Sequence, residues 1–233
     1  MLERVKILYD SKSLEAFINS KVLIIGVGGV GGACFEALVR MGIRNIDVVD
    51  NDTFDESNLN RQLLSNRNNI GCSKVKEAHL RAEMINHDIL VREYKMFLNK
   101  TNFDEIDITK YDYVIDCCDT VSTKVLIIME CIKKNIKFIS SMGTGNRIDP
   151  TKLEIVDISK TSYDPLAKVM RKLLKEEGIR GKVPVLFSRE IPIKVSSRTP
   201  GSTSFVPNAA GFCIASYVFN DIMEMGSDFH GRK

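Results

Sequence analysis

The chain has 233 residues, 44% of them hydrophobic and 27% charged, with a formal net charge of +3. This composition excludes a disordered or fibrous chain, and the apolar runs are too short and too often interrupted by charges to cross a bilayer. The length predicts one domain over residues 1–233, and the lack of a signal-peptide core after Met1 predicts a cytoplasmic protein with no membrane partner.

The strongest local motif is an apolar run that leads into a glycine-rich turn. After a short helix near residues 14–18, the run Val22–Ile25 predicts a buried parallel strand. Gly26, Gly28 and Gly31 then fill a G-x-G-x-x-G template. Glycines at these places allow a tight turn, close approach of the backbone to phosphate, and packing of a helix on the strand.

The next helix and strand complete a nucleotide-binding unit. A helix is predicted from Val30 to Met41, with Gly42 as its stop, and its free N–H groups would face an anion. The strand Ile46–Asp50 ends in an acid about 20 residues beyond the last glycine, where a carboxylate conventionally binds a ribose hydroxyl. A flexible loop would explain the glycines alone, but the strand, helix and acid together favour a nucleotide site. ATP and NAD are equal candidates at this point.

A polar loop follows the second strand. Residues 51–62 contain too many amide and charged groups for a packed element, so a solvated loop is the simplest interpretation. However, loops that leave the carboxyl ends of parallel strands build the sites of open α/β sheets. Arg61 and Gln62 could therefore reach phosphates.

The next helix begins with an unusual cation. It is predicted over residues 73–87, with Ser73 as N-cap and Lys74 in the first turn. A lysine there opposes the helix dipole unless an anion is near. This position favours a phosphate-facing lysine, although surface lysines are common.

Asp119 is the candidate metal ligand. Strands are predicted at Ile89–Tyr94 and Tyr113–Asp119, and a helix over Val121–Lys134. A carboxylate at the mouth of a sheet suits magnesium, which proteins usually hold by one or two carboxylates together with substrate phosphates. An N-cap of the following helix would explain the same acid, and both roles could hold.

The second half of the chain continues the alternation and then becomes basic. Strands at 136–140 and 153–158 complete a pattern that predicts a Rossmann-like, doubly wound, mostly parallel α/β sheet. A helix begins after Asp164 and ends at Gly178. Residues 151–200 contain 11 Lys and Arg against 6 Asp and Glu. One helix face, suited either to solvent or to a phosphate backbone, carries Lys168, Arg171, Lys172 and Lys175.

The rest of the chain predicts a C-terminal extension packed on the sheet. Residues 180–198 should be irregular, with further cations at Arg180, Lys182, Arg189, Lys194 and Arg198. An apolar helix near 208–225 would pack on the sheet, and residues 228–233 would fray.

The cysteines form no metal or disulfide pattern, because none is spaced as C-x-x-C. Most lie in apolar surroundings, where a free cysteine packs as a small hydrophobe. Core packing is therefore the favoured interpretation of these cysteines, which are Cys34, Cys72, Cys117, Cys118, Cys131 and Cys213.

Five motifs resemble the ubiquitin-activating-type adenylating enzymes, the ThiF/MoeB/HesA superfamily. They are Gly26-Val-Gly-Gly-Val-Gly31, Asp50-Asn-Asp52, Ser57-Asn-Leu-Asn-Arg61-Gln62, Gly71-Cys-Ser-Lys74 and Asp116-x-x-Asp119. The resemblance spans most of residues 1–140 and implies ATP with Mg²⁺ rather than NAD. It implies that Asp119 holds the metal, that Asp50 holds the ribose, and that the nucleotide is bound by Gly26, Gly28, Gly29, Gly31, Asp50, Asp52, Asn58, Arg61, Gln62 and Lys74. An NAD-dependent dehydrogenase and a regulatory module without catalysis are the other classes.

Two later motifs narrow the resemblance to the tRNA threonylcarbamoyladenosine dehydratases (TcdA/CsdL). They are Gly143-Thr-Gly-Asn-Arg-Ile-Asp149-Pro150 and the run from Asp157 to Leu166. The resemblance implies that ATP activates the threonyl carboxylate of the modified adenosine in tRNA, and that the side chain then closes with loss of water. Residues 1–140 would form the nucleotide-binding core and 141–233 the elements for tRNA and dimerisation. The alternative is an adenylating activator of a ubiquitin-like sulfur-carrier protein, but such enzymes often carry C-x-x-C zinc pairs.

The resemblance also implies partner molecules, and the chain departs from the family pattern at several positions. Arg4 aligns with a family arginine that reaches into the partner subunit's site, which implies a homodimer and adds Arg4 to the catalytic group of Arg61, Lys74 and Asp119. A sulfur-transfer or carrier protein is a further candidate partner. Many family members have Asn and Arg where this chain has Thr120 and Thr123. No cysteine lies around Val185, which argues against a thioester mechanism, although Cys117 and Cys213 remain candidates.

Overall fold

The computed structural model describes residues 1–197 and 199–223, which form one sheet covered by helices on both faces. Its strands are β1 (Lys21–Ile25), β2 (Asn45–Val49), β3 (Glu93–Tyr94), β4 (Tyr113–Asp116), β5 (Lys137–Ser141), β6 (Leu153–Asp157) and β7 (Pro184–Ser188). Its α-helices are α1 (Val5–Leu8), α2 (Ser11–Asn19), α3 (Gly29–Arg40), α4 (Lys74–Ile85), α5 (Val121–Lys133), α6 (Pro165–Glu176) and α7 (Phe205–Ile222).

The strand order is β3-β2-β1-β4-β5-β7-β6. Neighbouring strands pair in parallel except β6 and β7, which are antiparallel. The predicted doubly wound, mostly parallel α/β fold is therefore confirmed.

The apolar pattern of β1 explains the two layers of helices. Val22 and Ile24 pack with α3, α4 and α7 on one face, whereas Leu23 and Ile25 pack with α5 and α6 on the other. All four side chains are almost completely buried. A strand covered on both faces needs a continuous apolar run instead of an alternating one, and this is the run that the sequence has.

The strand register places three loop starts on one edge of the sheet. Ile25 of β1 lies opposite Val49 of β2 and Asp116 of β4. The chain therefore leaves all three strands at the same level, next to one another. Since β1 and β4 are neighbours whose following helices lie on opposite faces, a crevice opens between these loops, where open α/β sheets bind their ligands.

The last third of the chain differs most from the prediction. Pro184–Ser188, predicted as part of an irregular segment, forms β7 between β5 and β6, with Val185 and Leu186 fully buried. A proline at the first position of a strand loses no essential ladder hydrogen bond. The strand predicted over 89–94 is reduced to β3 and a bridge between Asn45 and Leu90.

Helix boundaries differ by a few residues from the prediction. α3 begins at Gly29, and α7 begins at Phe205 with Pro207 in its first turn, where no backbone donor is needed. The predicted helix end near Met225, the terminal residues 228–233 and Arg198 lie outside the described residues. In the part of the chain that is described, no helix has the length and apolar character needed to span a membrane.

Candidate active site

A cavity of about 730 Å³ lies where β1, β2 and β4 end. Its volume falls within the range of small-molecule sites, about 300–1,000 Å³. The structure brings ten of the predicted site residues to its lining: Gly26, Gly28, Gly29, Asp50, Asp52, Asn58, Arg61, Gln62, Lys74 and Asp119. Gly31 and Arg4 do not line it, nor do the four cations of α6.

The glycine turn is set by two close backbone approaches. Gly26 has a φ of +91°, and a Cβ there would lie 2.8 Å from the backbone of Cys117. A Cβ on Gly31 would lie 1.8 Å from the carbonyl oxygen of Gly26, so only glycine lets α3 start this close to the strand. Around Gly28 the space is open, because the atom nearest to an added Cβ would be Nε2 of Gln62, 4.0 Å away. A ligand can therefore approach the backbone at Gly28.

Asp50 ties the glycine turn to the end of β2. Its Oδ2 accepts a 2.7 Å hydrogen bond from the backbone N–H of Val27, and its Oδ1 accepts one of 2.9 Å from the N–H of Asp52. Each carboxylate oxygen keeps a further lone pair that can accept a hydroxyl. The acid predicted to bind ribose thus also holds the turn in place.

Lys74 points into the cavity as a nearly buried cation. Its side chain is 6% exposed, and Nζ lies 3.0 Å from Oδ2 of Asp52. The backbone N–H of Lys74 also donates to the carbonyl of Asp52. This carboxylate compensates the lysine at the positive end of α4. Ser73 is the N-cap residue as predicted, but its hydroxyl makes no capping hydrogen bond.

Arg61 and Gln62 approach the cavity from the polar loop. Nη1 of Arg61 donates to the carbonyl of Ser57 at 2.7 Å and to Oδ1 of Asn60 at 3.0 Å. Gln62 is 7% exposed, and its Oε1 has no hydrogen-bond partner within the described chain. Asn58 accepts from the N–H of Asp55 in a capping box, which fixes the loop. The loop is therefore ordered by its own hydrogen bonds and forms a wall of the cavity, while most of its residues stay exposed to solvent.

Asp119 projects from a loop that a buried ion pair holds. Lys124 and Asp116 are both fully buried, with Nζ 2.9 Å from Oδ2, and the hydroxyl of Ser140 donates to the same oxygen at 2.5 Å. Asp119 is exposed at the cavity, three residues beyond Asp116. The N-cap residue of α5 is Thr120, so the interpretation of Asp119 as the N-cap is wrong. Its carboxylate is available to a ligand.

The carboxylates of the cavity fit a metal shared with phosphate. Among the described residues, no group of three or more His, Cys, Asp or Glu side chains could hold a metal ion by itself. Mg²⁺ takes few protein ligands and completes its shell with water and phosphate oxygens. The exposed carboxylate of Asp119 suits that coordination.

Comparison with known proteins decides the family. The sequence profile of the ThiF family matches residues 4–184. The chain belongs to the ThiF family. It is 39% identical over 230 residues to the tRNA threonylcarbamoyladenosine dehydratase of Bacillus subtilis, covering 91% of each chain.

Two further relatives of this ThiF-family chain differ in how much of it they match. The crystal structure of Escherichia coli TcdA, a tRNA N6-threonylcarbamoyladenosine dehydratase in complex with ATP, matches it with a TM-score of 0.90 and 32% identity, over 96% of this chain and 94% of that one. An adenylyltransferase and sulfurtransferase, UBA4 of Vanderwaltozyma polyspora, is 39% identical over 128 residues, which are 55% of this chain and 29% of that protein. Of these two likenesses, the one to the dehydratase covers nearly the whole chain and the one to UBA4 about half of it.

Two walls of the ThiF-family cavity were not predicted. One is the apolar run Met96–Leu98, and the other consists of Gly143–Gly145 and Thr199–Ser202. Asn146 joins the two parts of the second wall, because its N–H donates to the carbonyl of Gly201 and its Oδ1 accepts from the N–H of Gly201. No local pattern could reveal these contacts, since they join loops more than 50 residues apart.

Thr123 supports the first wall. Its hydroxyl donates to the carbonyl of Leu98 at 2.9 Å, and the side chain is buried. It therefore positions the apolar wall.

The predicted core packing holds for only some of the cysteines. Cys34 and Cys131 are buried, Cys72, Cys117 and Cys118 are half-buried, and Cys213 is exposed. Burial raises the pKa of Cys117 to about 12, and burial together with Asp116 raises the pKa of Cys118 further. A thiol at the cavity is thus protonated near neutral pH and is a poor nucleophile.

The four cations of α6 do not share one free face. Lys168, Lys172 and Lys175 are exposed, but Arg171 is half-buried. Its Nη1 donates to the carbonyl of Thr161 at 3.2 Å and to the Thr161 hydroxyl. Arg171 therefore differs from the prediction, and the exposed cationic face consists of the three lysines, of which Lys172 pairs with Glu176 at 3.8 Å.

Arg4 lies away from the cavity of its own chain. It precedes α1 and is exposed. Its predicted place in a partner's site stays a prediction.

Proposed function

We propose that this chain is an ATP-dependent tRNA threonylcarbamoyladenosine dehydratase. The observation that carries the proposal is a cavity of nucleotide-binding character, built from ten residues of the ThiF-type motifs, in a fold that matches ATP-bound TcdA over 96% of the chain. The substrate is the threonyl carboxylate of the modified adenosine. Residues 1–140 supply the nucleotide site, and residues 141–233 supply surfaces for tRNA and for a second subunit.

ATP would bind across the crevice between β1 and β4. The open backbone at Gly28 and the N-terminus of α3 suit its phosphates, since free N–H groups and the helix dipole attract anions. Asp50 accepts the ribose hydroxyls. The apolar wall Met96–Leu98 suits the flat face of adenine.

Activation of the carboxylate requires charge compensation at the α-phosphate. A carboxylate oxygen attacks that phosphorus, and pyrophosphate leaves. Arg61, Lys74 and the side-chain N–H groups of Gln62 are the groups that would stabilise charge on the transferring phosphoryl group. Asp119 would hold Mg²⁺, which neutralises phosphate charge.

Closure of the side chain follows without an enzyme nucleophile. The activated carboxyl carbon is attacked from within the same side chain, AMP leaves, and one water is lost overall. Holding the two reacting groups close removes much of the entropic barrier. The protonated thiols around the cavity agree with this route.

The test is nucleoside mass spectrometry of threonylcarbamoyl-modified tRNA incubated with the protein and ATP. We expect the modified nucleoside to lose one water, about 18 Da, only when ATP is present, because an activated and positioned carboxylate cyclises. An unmodified adenosine in the same tRNA is the internal control. No mass change, together with adenylation of the terminal glycine of a sulfur-carrier protein, would replace the proposal by the activator alternative.

We further propose a homodimer in which Arg4 completes the partner's site. Arg4→Ala and Asp119→Ala subunits should each be nearly inactive alone. Random re-assortment of equal amounts should restore about a quarter of the wild-type activity, because half of the dimers then contain one intact site. If Arg4 acts within its own subunit, the mixture stays as inactive as its components.

A further inference from the structure

Tyr163 has an unusual backbone conformation for its residue type. Three non-glycine residues of the described chain have positive φ: Asn135, Asn146 and Tyr163, the last at +54°. Asparagine tolerates this left-handed region, whereas a bulky side chain is disfavoured there. Backbone strain at such a residue is a reason to look for a function.

Burial of the ring does not offset the strain. Tyr163 is 64% exposed, more than Phe97 or Phe212. Folding alone would be served as well by glycine or asparagine at this position. The ring therefore has no evident role in the stability of the isolated chain.

The residues before Tyr163 are fixed by α6. Thr161 is buried, and it receives the guanidinium of Arg171 on both its carbonyl and its hydroxyl. The Thr161 hydroxyl in turn donates to the carbonyl of Ile158 at 2.8 Å. Arg171, which the sequence placed on the free cationic face, is thus used to hold this turn.

The residue after Tyr163 is fixed by the cavity wall. Asp164 is buried and caps α6 by accepting from the N–H of Ala167 at 3.0 Å. Its other oxygen accepts from the N–H of Gly143 at 3.2 Å and lies 3.5 Å from Nη2 of the buried Arg147. With anchors on both sides, the chain presents the Tyr163 ring outward in one place.

That place adjoins a wall of the cavity, on the segment that leads into α6 and its lysines. Gly143, which Asp164 contacts, and Leu166 both line the cavity. Lys168 and Lys172 are exposed one and two turns into α6, about 6 Å apart along its axis, and Lys172 forms a solvent-exposed ion pair with Glu176 at 3.8 Å. An exposed aromatic ring and exposed cations on one segment are a combination that binds single-stranded nucleic acid.

We propose that Tyr163 stacks on an unpaired base adjacent to the modified adenosine, while Lys168 and Lys172 contact the neighbouring phosphates. The inference rests on the proposed function and names the part of the RNA that this site reads. A nucleotide drawn into a cavity leaves its neighbour without a stacking partner, and an aromatic side chain replaces that partner. Arg171 is a positioning residue for the ring.

The experiment compares Tyr163→Asn with Tyr163→Phe in the full chain. Asparagine keeps the left-handed backbone and removes the ring, and phenylalanine keeps the ring. The probe is threonylcarbamoyl-modified tRNA with 2-aminopurine next to the modified adenosine. Tyr163→Asn should weaken tRNA binding roughly 5- to 150-fold, the loss of one base–aromatic stack, and abolish quenching of the probe, while Tyr163→Phe retains both. Unchanged melting temperature and ATP affinity show that the variant is folded.

Salt dependence separates the ring from the lysines. Lys168→Ala and Lys172→Ala should each lower the salt slope of binding by about one, whereas Tyr163→Asn leaves the slope unchanged. Equal affinity and quenching for Tyr163→Asn and wild type would overturn the stacking proposal even if the tRNA is dehydrated. If wild type binds no tRNA and adenylates a carrier protein instead, the proposed function fails and the stacking proposal fails with it.

Discussion

Asp119→Asn is expected to lower kcat for ATP-dependent dehydration about 100- to 1,000-fold, the loss typical of removing one group that stabilises charge in the transition state. The carboxylate is exposed at the cavity, and its loop is fixed from below by Asp116 and Lys124. The substitution keeps the shape of the side chain and removes its charge. Activity of the variant should therefore require more Mg²⁺ than that of wild type.

The measurement is steady-state kinetics with a Mg²⁺ titration at saturating ATP and tRNA. Asp88→Asn is the matched control, because this exposed aspartate lies outside the cavity lining. An Asp119→Asn variant with wild-type kcat and Mg²⁺ dependence would remove Asp119 from the metal site.

Lys124→Met should destabilise the protein by about 3–5 kcal/mol, because it leaves Asp116 buried and without its counter-ion. Both partners are fully buried, and their 2.9 Å contact lies directly below the cavity. The measurement is the free energy of unfolding in urea. Lys133→Met is the matched control on the same helix, since Lys133 pairs with Glu130 in solvent and such pairs contribute about 0–1 kcal/mol. Equal losses of unfolding free energy in the two variants would show that the buried pair stabilises the protein no more than the exposed pair does.

The pH dependence of the same pair has a definite sign. Burial by itself lowers the pKa of Lys124, but the carboxylate of Asp116 more than reverses this, so the pKa is raised. Because the pKa of Lys124 is higher in the folded state, its charge stabilises the folded protein fully at pH values below the ordinary lysine pKa of 10.5. This stabilisation is lost as the pH rises through the pKa of the folded state. The contribution of the pair should therefore be complete at neutral pH and decline in the alkaline range.

Local sequence determined the fold class and the centre of the site. The run Val22–Ile25 had to be buried on both faces, and Gly26 and Gly31 had to allow backbone contacts that no side chain permits. The apolar run and the glycine spacing lie in one short stretch of chain, so their pattern can be recognised without a structure, although the close approach of Gly26 to Cys117 joins residues distant in sequence. Because Asp50 and Asp119 follow strands of the same sheet, the parallel topology was enough to bring both to one cavity.

Only the tertiary structure decided which groups surround that centre. β7 is part of the sheet because β5 and β6 pair with it on either side. Its own five residues do not indicate this pairing. Arg171 is not part of the exposed cationic face, because its guanidinium donates to the carbonyl and hydroxyl oxygens of Thr161, ten residues away. Lys124 became a buried counter-ion because α5 carries it over Asp116. Helical spacing gives the direction of a side chain, but its partner is supplied by whichever segment packs there, and that depends on contacts distant in sequence.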